Sequence, residues 1–196
     1  MLCISVEEFL FWKKKQLSKG GDQQSFAVLL DSVGGISTSD QDLISINPEG
    51  NLYLKKDLDF LGSIWDKHLL ESHPIQYLCG TTFWRDLKLK VTNKVLIPRP
   101  ETELIVDIVF NLFQKKSEKL FFAELGTGSG AISIALALAY PFSDGVATDL
   151  NQDALEIATK NYISSSKQSN LKFYCGNWWS PLESFKGKID LSLIHI

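Results

Sequence analysis

Gly126, Gly128 and Gly130, with Asp149 on the stretch that follows, are the residues of this chain whose types and spacing could hold a ligand. Phe121-Phe-Ala-Glu-Leu-Gly-Thr-Gly-Ser-Gly130 reads as a buried strand running into a glycine turn, and the apolar run Ala131 to Tyr140 reads as the helix it opens. Glycine adopts backbone angles that a side chain forbids and lets a ligand lie against the main chain. The first N–H groups of a helix have no intrahelical acceptor and face whatever lies before it. Strand, turn and helix in this order describe a nucleotide-type cofactor site. Gly145-Val-Ala-Thr-Asp149 then reads as a second strand ending in a carboxylate 19 residues after Gly130. A doubly wound fold places there the acid that grips both ribose hydroxyls. Two alternatives stay open on these residues alone. Gly126, Gly128 and Ala131 also satisfy the looser dinucleotide pattern, and Asp149 could cap the next helix instead.

The elements that must position these residues can be read outward from them. Asn151 to Asn161 has apolar residues at 154, 155, 157 and 158, the pattern of a helix packed on a sheet. Upstream, Glu101 to Phe113 is apolar at 104, 105, 108, 109 and 112, with Pro100 near its first turn. Residues 73–98 change to a period of two, clearest in Leu87-Lys-Leu-Lys-Val91, and read as a hairpin linking two domains. Residues 1–72 read as a small helical bundle. Ser5 with Glu8 forms a capping box before apolar residues 6, 9, 10, 12 and 17; a second helix runs from Asp22 to Val33 and stops at Gly34-Gly35. Thr38-Ser-Asp40 starts a third before Pro48, and Lys56 to Leu70 forms a fourth. The expected fold class is α/β: helical bundle, β-hairpin linker, and a Rossmann-like domain over 99–196.

Composition narrows the function classes. The 196 residues are 44% hydrophobic and 22% charged with a net charge of −3, a balance that gives no reason to expect direct nucleic-acid binding. Lys13-Lys14-Lys15 is explained by a solvated helix face. No apolar run has the length of a membrane crossing and Glu7 and Glu8 precede the lysines, so neither a signal peptide nor a span is expected and the location is cytoplasmic. Cys3, Cys79 and Cys175 are odd in number and far apart, and His68, His73 and His195 have no ligand-like spacing, so no metal site is expected.

His73-Pro-Ile-Gln-Tyr-Leu-Cys-Gly80, Phe83-Trp84, Val95-Leu-Ile-Pro-Arg-Pro-Glu-Thr-Glu103 and Glu124-Leu-Gly-Thr-Gly-Ser-Gly130 occur in this order. In these blocks the sequence resembles the protein-glutamine methyltransferases that modify bacterial peptide chain release factors. The resemblance implies S-adenosylmethionine as cofactor rather than a nicotinamide dinucleotide. It also implies transfer of a methyl group to the glutamine side-chain amide of the release factor's Gly-Gly-Gln motif, in translation termination, with the N-terminal bundle helping to dock the partner. Carried over by position, Gly126, Thr127, Gly128, Ser129 and Gly130 would hold the methionine part and Asp149 the ribose. Trp178, in Asn177-Trp178-Trp179-Ser-Pro181, would flank the adenine. Glu124, Arg99, Pro100 and Glu101 join the cofactor set. As bare sequence, Trp178 and Trp179 also read as core aromatics, and Arg99 with Glu101 as a surface ion pair.

The family orients its substrate amide with an Asn-Pro-Pro-Tyr loop after the fourth strand, and these 196 residues contain no such sequence. Lys188-Ile-Asp-Leu191 begins the fourth strand, and Ser-Leu-Ile-His-Ile196 follows where the loop would be approached. The methyltransferase domain over 99–196 is therefore expected to lack its C-terminal part, with no catalytic residue identifiable and the fourth strand an exposed edge. A catalytically inactive truncated product that retains only cofactor or release-factor binding is the alternative expectation.

Overall fold

A computed structural model of the chain describes residues 1–46, 49–113, 119–165 and 170–194. They fall into two units, Met1–Thr81 and Thr82–Ile196.

In the first unit, polar residues placed one position ahead of apolar-patterned stretches start the helices. The order is β1 (Leu2–Ser5), α1 (Val6–Leu17), α2 (Gln23–Leu29) continued by a π-turn over Leu30–Gly34, α3 (Thr38–Ile46), β2 (Asn51–Leu54), α4 (Leu58–Glu71) and α5 (Ile75–Cys79). Ser5 Oγ accepts from the Glu8 N–H at 3.1 Å, Asp22 from Ser25 at 2.7 Å and Asp57 from Phe60 at 2.7 Å. Each bond satisfies an N–H that the helix itself leaves without an acceptor. The faces so fixed bury Val6, Phe9, Trp12, Phe26, Leu29, Leu61 and Trp65 in one cluster. Phe26 meets Trp65 edge-on at 4.8 Å, and the Trp65 indole donates to the Gln16 carbonyl at 3.2 Å. One feature departs from a purely helical bundle. β1 and β2 pair antiparallel, Leu2 opposite Leu54 and Ser5 opposite Asn51. Strands of four residues are too short for periodicity to separate from helix ends. Pro48, the expected stop for α3, lies outside the described residues.

β3 (Thr81–Trp84) and β4 (Leu87–Lys90) pair with each other across a turn at Arg85 and Asp86. Within the second unit, a 3-10 turn over Pro100–Thr102 then leads into α6 (Glu103–Leu112). There follow β5 (Phe121–Leu125), α7 (Ala131–Ala139), β6 (Asp144–Asp149), α8 (Gln152–Ser165), β7 (Asn170–Cys175), a 3-10 turn over Ser180–Phe185, and β8 (Leu191–Ile194). The sheet is parallel in the order β7-β6-β5-β8. Parallel strands joined through helices are covered on both faces, and Phe122, Ala123, Val146 and Ala147 are accordingly buried. α7 is apolar almost all round for the same reason: Ala131, Ile132, Ile134, Leu136 and Ala137 are all buried. Leu125 lies beside Thr148, so β5 and β6 end together and deliver the glycine turn and Asp149 to one edge of the sheet.

α6 does not use the face its apolar pattern indicated. Val106 and Val109 are buried, whereas Leu104, Ile108 and Leu112 are exposed. Glu-Leu-Ile-Val-Asp-Ile-Val-Phe-Asn-Leu is apolar on too many sides for spacing to select a face. Among the described residues β8 pairs only with β5, at the edge of the sheet. His195, Ile196 and Ser166 of the serine loop lie outside the described residues. Among the described residues no helix is long and apolar enough to cross a membrane.

Candidate functional site

Thr148 and Asp149 at the end of β6 shape the turn that follows β5. The Thr148 carbonyl accepts from both Gly126 N–H and Thr127 N–H at 2.9 Å. Asp149 Oδ2 accepts from the Gly128 N–H at 2.8 Å, and the Gly130 N–H closes on the Thr127 carbonyl at 2.9 Å. All three glycines have positive φ, 74° at Gly126, 54° at Gly128 and 83° at Gly130. They differ in what surrounds them. A Cβ on Gly126 or Gly128 would meet nothing within 4 Å, whereas one on Gly130 would lie 3.0 Å from Ile134 Cδ1 and 3.2 Å from Ala158 Cβ. Gly130 lets α7 approach α8, while the other two keep the turn open. Gly130→Ala should therefore destabilise the chain by about 3 kcal/mol, adding left-handed strain to overpacking. Gly128→Ala should cost about 1 kcal/mol for the backbone alone. The denaturant midpoints of the two variants check the contrast.

The turn lines a cleft of about 250 Å³ at the edge of the sheet. Gly126, Thr127, Gly128, Ser129, Glu124, Asp149 and Arg99 line it together with Lys94, Val95, Leu96, Pro98, Thr102, Ile132 and Ala154. Gly130, Pro100, Glu101 and Trp178 are not among its lining residues. Pro100 and Glu101 instead open the 3-10 turn before α6. Trp178 is half exposed, has a φ of 49°, and presents its carbonyl to Thr148 Oγ1 at 3.2 Å. Trp179 lines a different cleft with Leu182 and Phe185. Sequence reasoning gave no role to Lys94, Val95 or Leu96; they flank or belong to the Val95 to Glu103 block, which was their signal.

Asp149 does not cap α8. Its Oδ1 accepts from the Asn151 N–H at 2.9 Å, and Asn151 Oδ1 in turn accepts from the Asp153 N–H at 2.9 Å, so Asn151 supplies the cap. Each Asp149 oxygen retains acceptor capacity toward the cleft. Glu124 sits deeper and is almost wholly buried. Its Oε2 accepts from Thr127 Oγ1 at 2.6 Å and from the Ser133 N–H at 3.1 Å. Burial pushes the Glu124 carboxyl from its ordinary 4.5 up to about 7; bonds from Thr127 and Ser133 oppose the rise, and the Asp149 charge adds to it. At the mouth, Lys94 pairs with Asp153 at 3.2 Å, both more than half exposed, a contact of little energetic weight. The Arg99 carbonyl accepts from the Trp84 indole at 2.9 Å, fixing the 94–99 wall at its far end. Among the described residues no cluster of three His, Cys, Asp or Glu side chains is arranged to hold a metal ion.

A parallel sheet with a glycine turn after one strand and a carboxylate ending the next defines a Rossmann-like domain with a nucleotide-type cofactor cleft. No family model matches the sequence. Relatives do. A protein named release factor glutamine methyltransferase from Prochlorococcus marinus is 40% identical over 189 residues, 96% of this chain and 64% of that protein. One of the same name from Bacillus anthracis is 32% identical over 191 residues, 96% of this chain and 65% of its own length. Over these residues the chain is similar to proteins named release factor glutamine methyltransferase, and it spans less than two thirds of the length of these relatives. Among solved structures, an S-adenosylmethionine-dependent methyltransferase from Agrobacterium tumefaciens has a TM-score of 0.49 and 15% identity over 58% of this chain and 38% of its own. That likeness is too slight to carry weight.

Proposed function

We propose that the chain carries the cofactor cleft of an S-adenosylmethionine-dependent methyltransferase that modifies the glutamine side-chain amide in the Gly-Gly-Gln motif of peptide chain release factors, in the cytoplasm. The observation that carries the cofactor assignment is the use of the turn's own donors. The N–H groups of Gly126, Thr127, Gly128 and Gly130 are all spent on acceptors within the protein. A pyrophosphate needs such groups free. Two acids, Glu124 and Asp149, also line the cleft and would repel it. A cofactor carrying a sulfonium and an ammonium suits this arrangement, since opposite charge nearby favours both partners.

When bound, that cofactor supplies an electrophilic methyl group on a positively charged sulfur, so the protein's task is alignment. Asp149 would hold the ribose hydroxyls. Gly126 and Gly128 leave room for close approach to the main chain, and Glu124 supplies negative charge beneath the turn. The N-terminal unit, by this reading, docks the release factor. The relatives' name supports the partner. A second reading is a chain that binds cofactor or release factor without transfer.

Calorimetric titration with S-adenosylmethionine, paired with a methyl-transfer assay on a purified release factor, separates the readings. Cofactor binding is the expected result. Transfer to the glutamine would carry the first reading, and binding without transfer the second. A chain that bound neither cofactor nor release factor would sink both.

A further inference from the structure

Asn161 is fully buried on α8, does not itself line the cleft, and its side chain is completely engaged. Its Nδ2 donates to the Ser129 carbonyl at 2.9 Å and to the Lys90 carbonyl at 3.0 Å, and its Oδ1 accepts from the Lys90 N–H at 2.7 Å. The amide orientation is forced. Two of the partners only accept and the third only donates, so one placement of oxygen and nitrogen satisfies all three. Ser129 belongs to the glycine turn. Lys90 ends β4, and the chain leaving it supplies Lys94, Val95 and Leu96 to the facing wall of the cleft. That wall is pinned at Lys90 by Asn161 and at Arg99 by Trp84.

We propose that Asn161 is a positioning residue for cofactor binding: through one amide it clamps the glycine turn to the strand that launches the opposite wall, and so sets the width of the cleft. This rests on the cofactor reading above. No smaller or apolar side chain offers two donors and an acceptor in one plane, and truncation would take this partner from the buried Ser129 carbonyl and from the partly buried Lys90 carbonyl and N–H. A cleft held a fraction of an ångström too wide loses affinity although every contacting residue is intact.

The test uses the full chain and S-adenosylhomocysteine as probe. Asn161→Ala should weaken calorimetric binding by about tenfold or more, as expected when walls lose their register. Leu171→Ala is the control, a buried core position in β7 outside the cleft. It should lower the melting temperature without changing affinity by more than about twofold, since it neither lines the cleft nor bonds either of its walls. Asn161→Ser serves if the alanine variant fails to fold. Amide hydrogen exchange reads the clamp without ligand: in the Asn161 variant, protection should fall at Lys90 and across residues 126–130 together while β7 stays protected. Unchanged affinity in the Asn161 variant, equal loss in Leu171→Ala, or exchange that rises on only one wall would each overturn the proposal. If the unaltered chain bound no probe, the cofactor reading would fall, and the exchange result alone would decide whether Asn161 couples the walls.

Discussion

Asp149→Ala should weaken S-adenosylhomocysteine binding by about a hundredfold or more, on the reading that Asp149 grips the ribose, because hydrogen bonds to a charged group are worth about 1.5–3 kcal/mol each. Part of that loss falls on the protein itself. The Gly128 N–H would be left without Asp149 Oδ2 and the Asn151 N–H without Oδ1, so the turn loses its shape along with the ligand's acceptor. Asp149→Asn should do almost as badly. Both contacts come from N–H donors, and an amide can offer an oxygen to only one of them. A purely structural role, as acceptor for the Gly128 and Asn151 N–H groups, predicts something different: lost stability and no change in affinity. Titration of both variants, with melting temperatures measured alongside, distinguishes the two. Near-native affinity in Asp149→Asn would remove Asp149 from the cofactor set.

What was legible in the sequence followed from whether a feature is local. The glycine turn and Asp149 are set by spacing along one βαβ unit, and the sheet delivers both to the same edge because Leu125 lies beside Thr148. Caps were readable for the same reason: Ser5 and Glu8 are three residues apart. Asn161 was invisible in its function, since its partners lie 71 and 32 residues away and its own helix pattern marks it only as the end of an apolar face. α6 failed in a third way. Its apolar residues encircle the helix, so only tertiary packing decides that Val106 and Val109 turn inward and Leu104 and Ile108 do not. The presence of Glu124 was readable. Its burial was not, because the acid sits in a strand pattern otherwise apolar, and only Thr127 and Ser133 folding back over it make that tolerable.

That burial makes Glu124 the group with the largest expected effect on the pH dependence of stability. Its carboxyl is held at about 7 in the folded chain against an ordinary 4.5. Below pH 4.5 it is protonated in both states and costs nothing. Between 4.5 and 7 the unfolded chain releases the proton while the folded chain keeps it, so stability falls as pH rises. Above 7 the full penalty of a buried charge is present, about 3 kcal/mol from the size of the shift. Glu124→Gln keeps an oxygen for Thr127 and Ser133 and removes the titration. Its stability relative to the unaltered chain should therefore climb by about 3 kcal/mol between pH 4.5 and pH 8, read from urea midpoints at each pH. A difference that stayed flat over that window would show that Glu124 does not titrate there. The same proton links to the ligand. A cation in the cleft favours the ionised carboxylate, so S-adenosylmethionine should bind more tightly at pH 8 than at pH 6 and expel a proton near pH 7. Titrations in buffers of different ionisation enthalpy detect that proton directly, and in Glu124→Gln it should disappear.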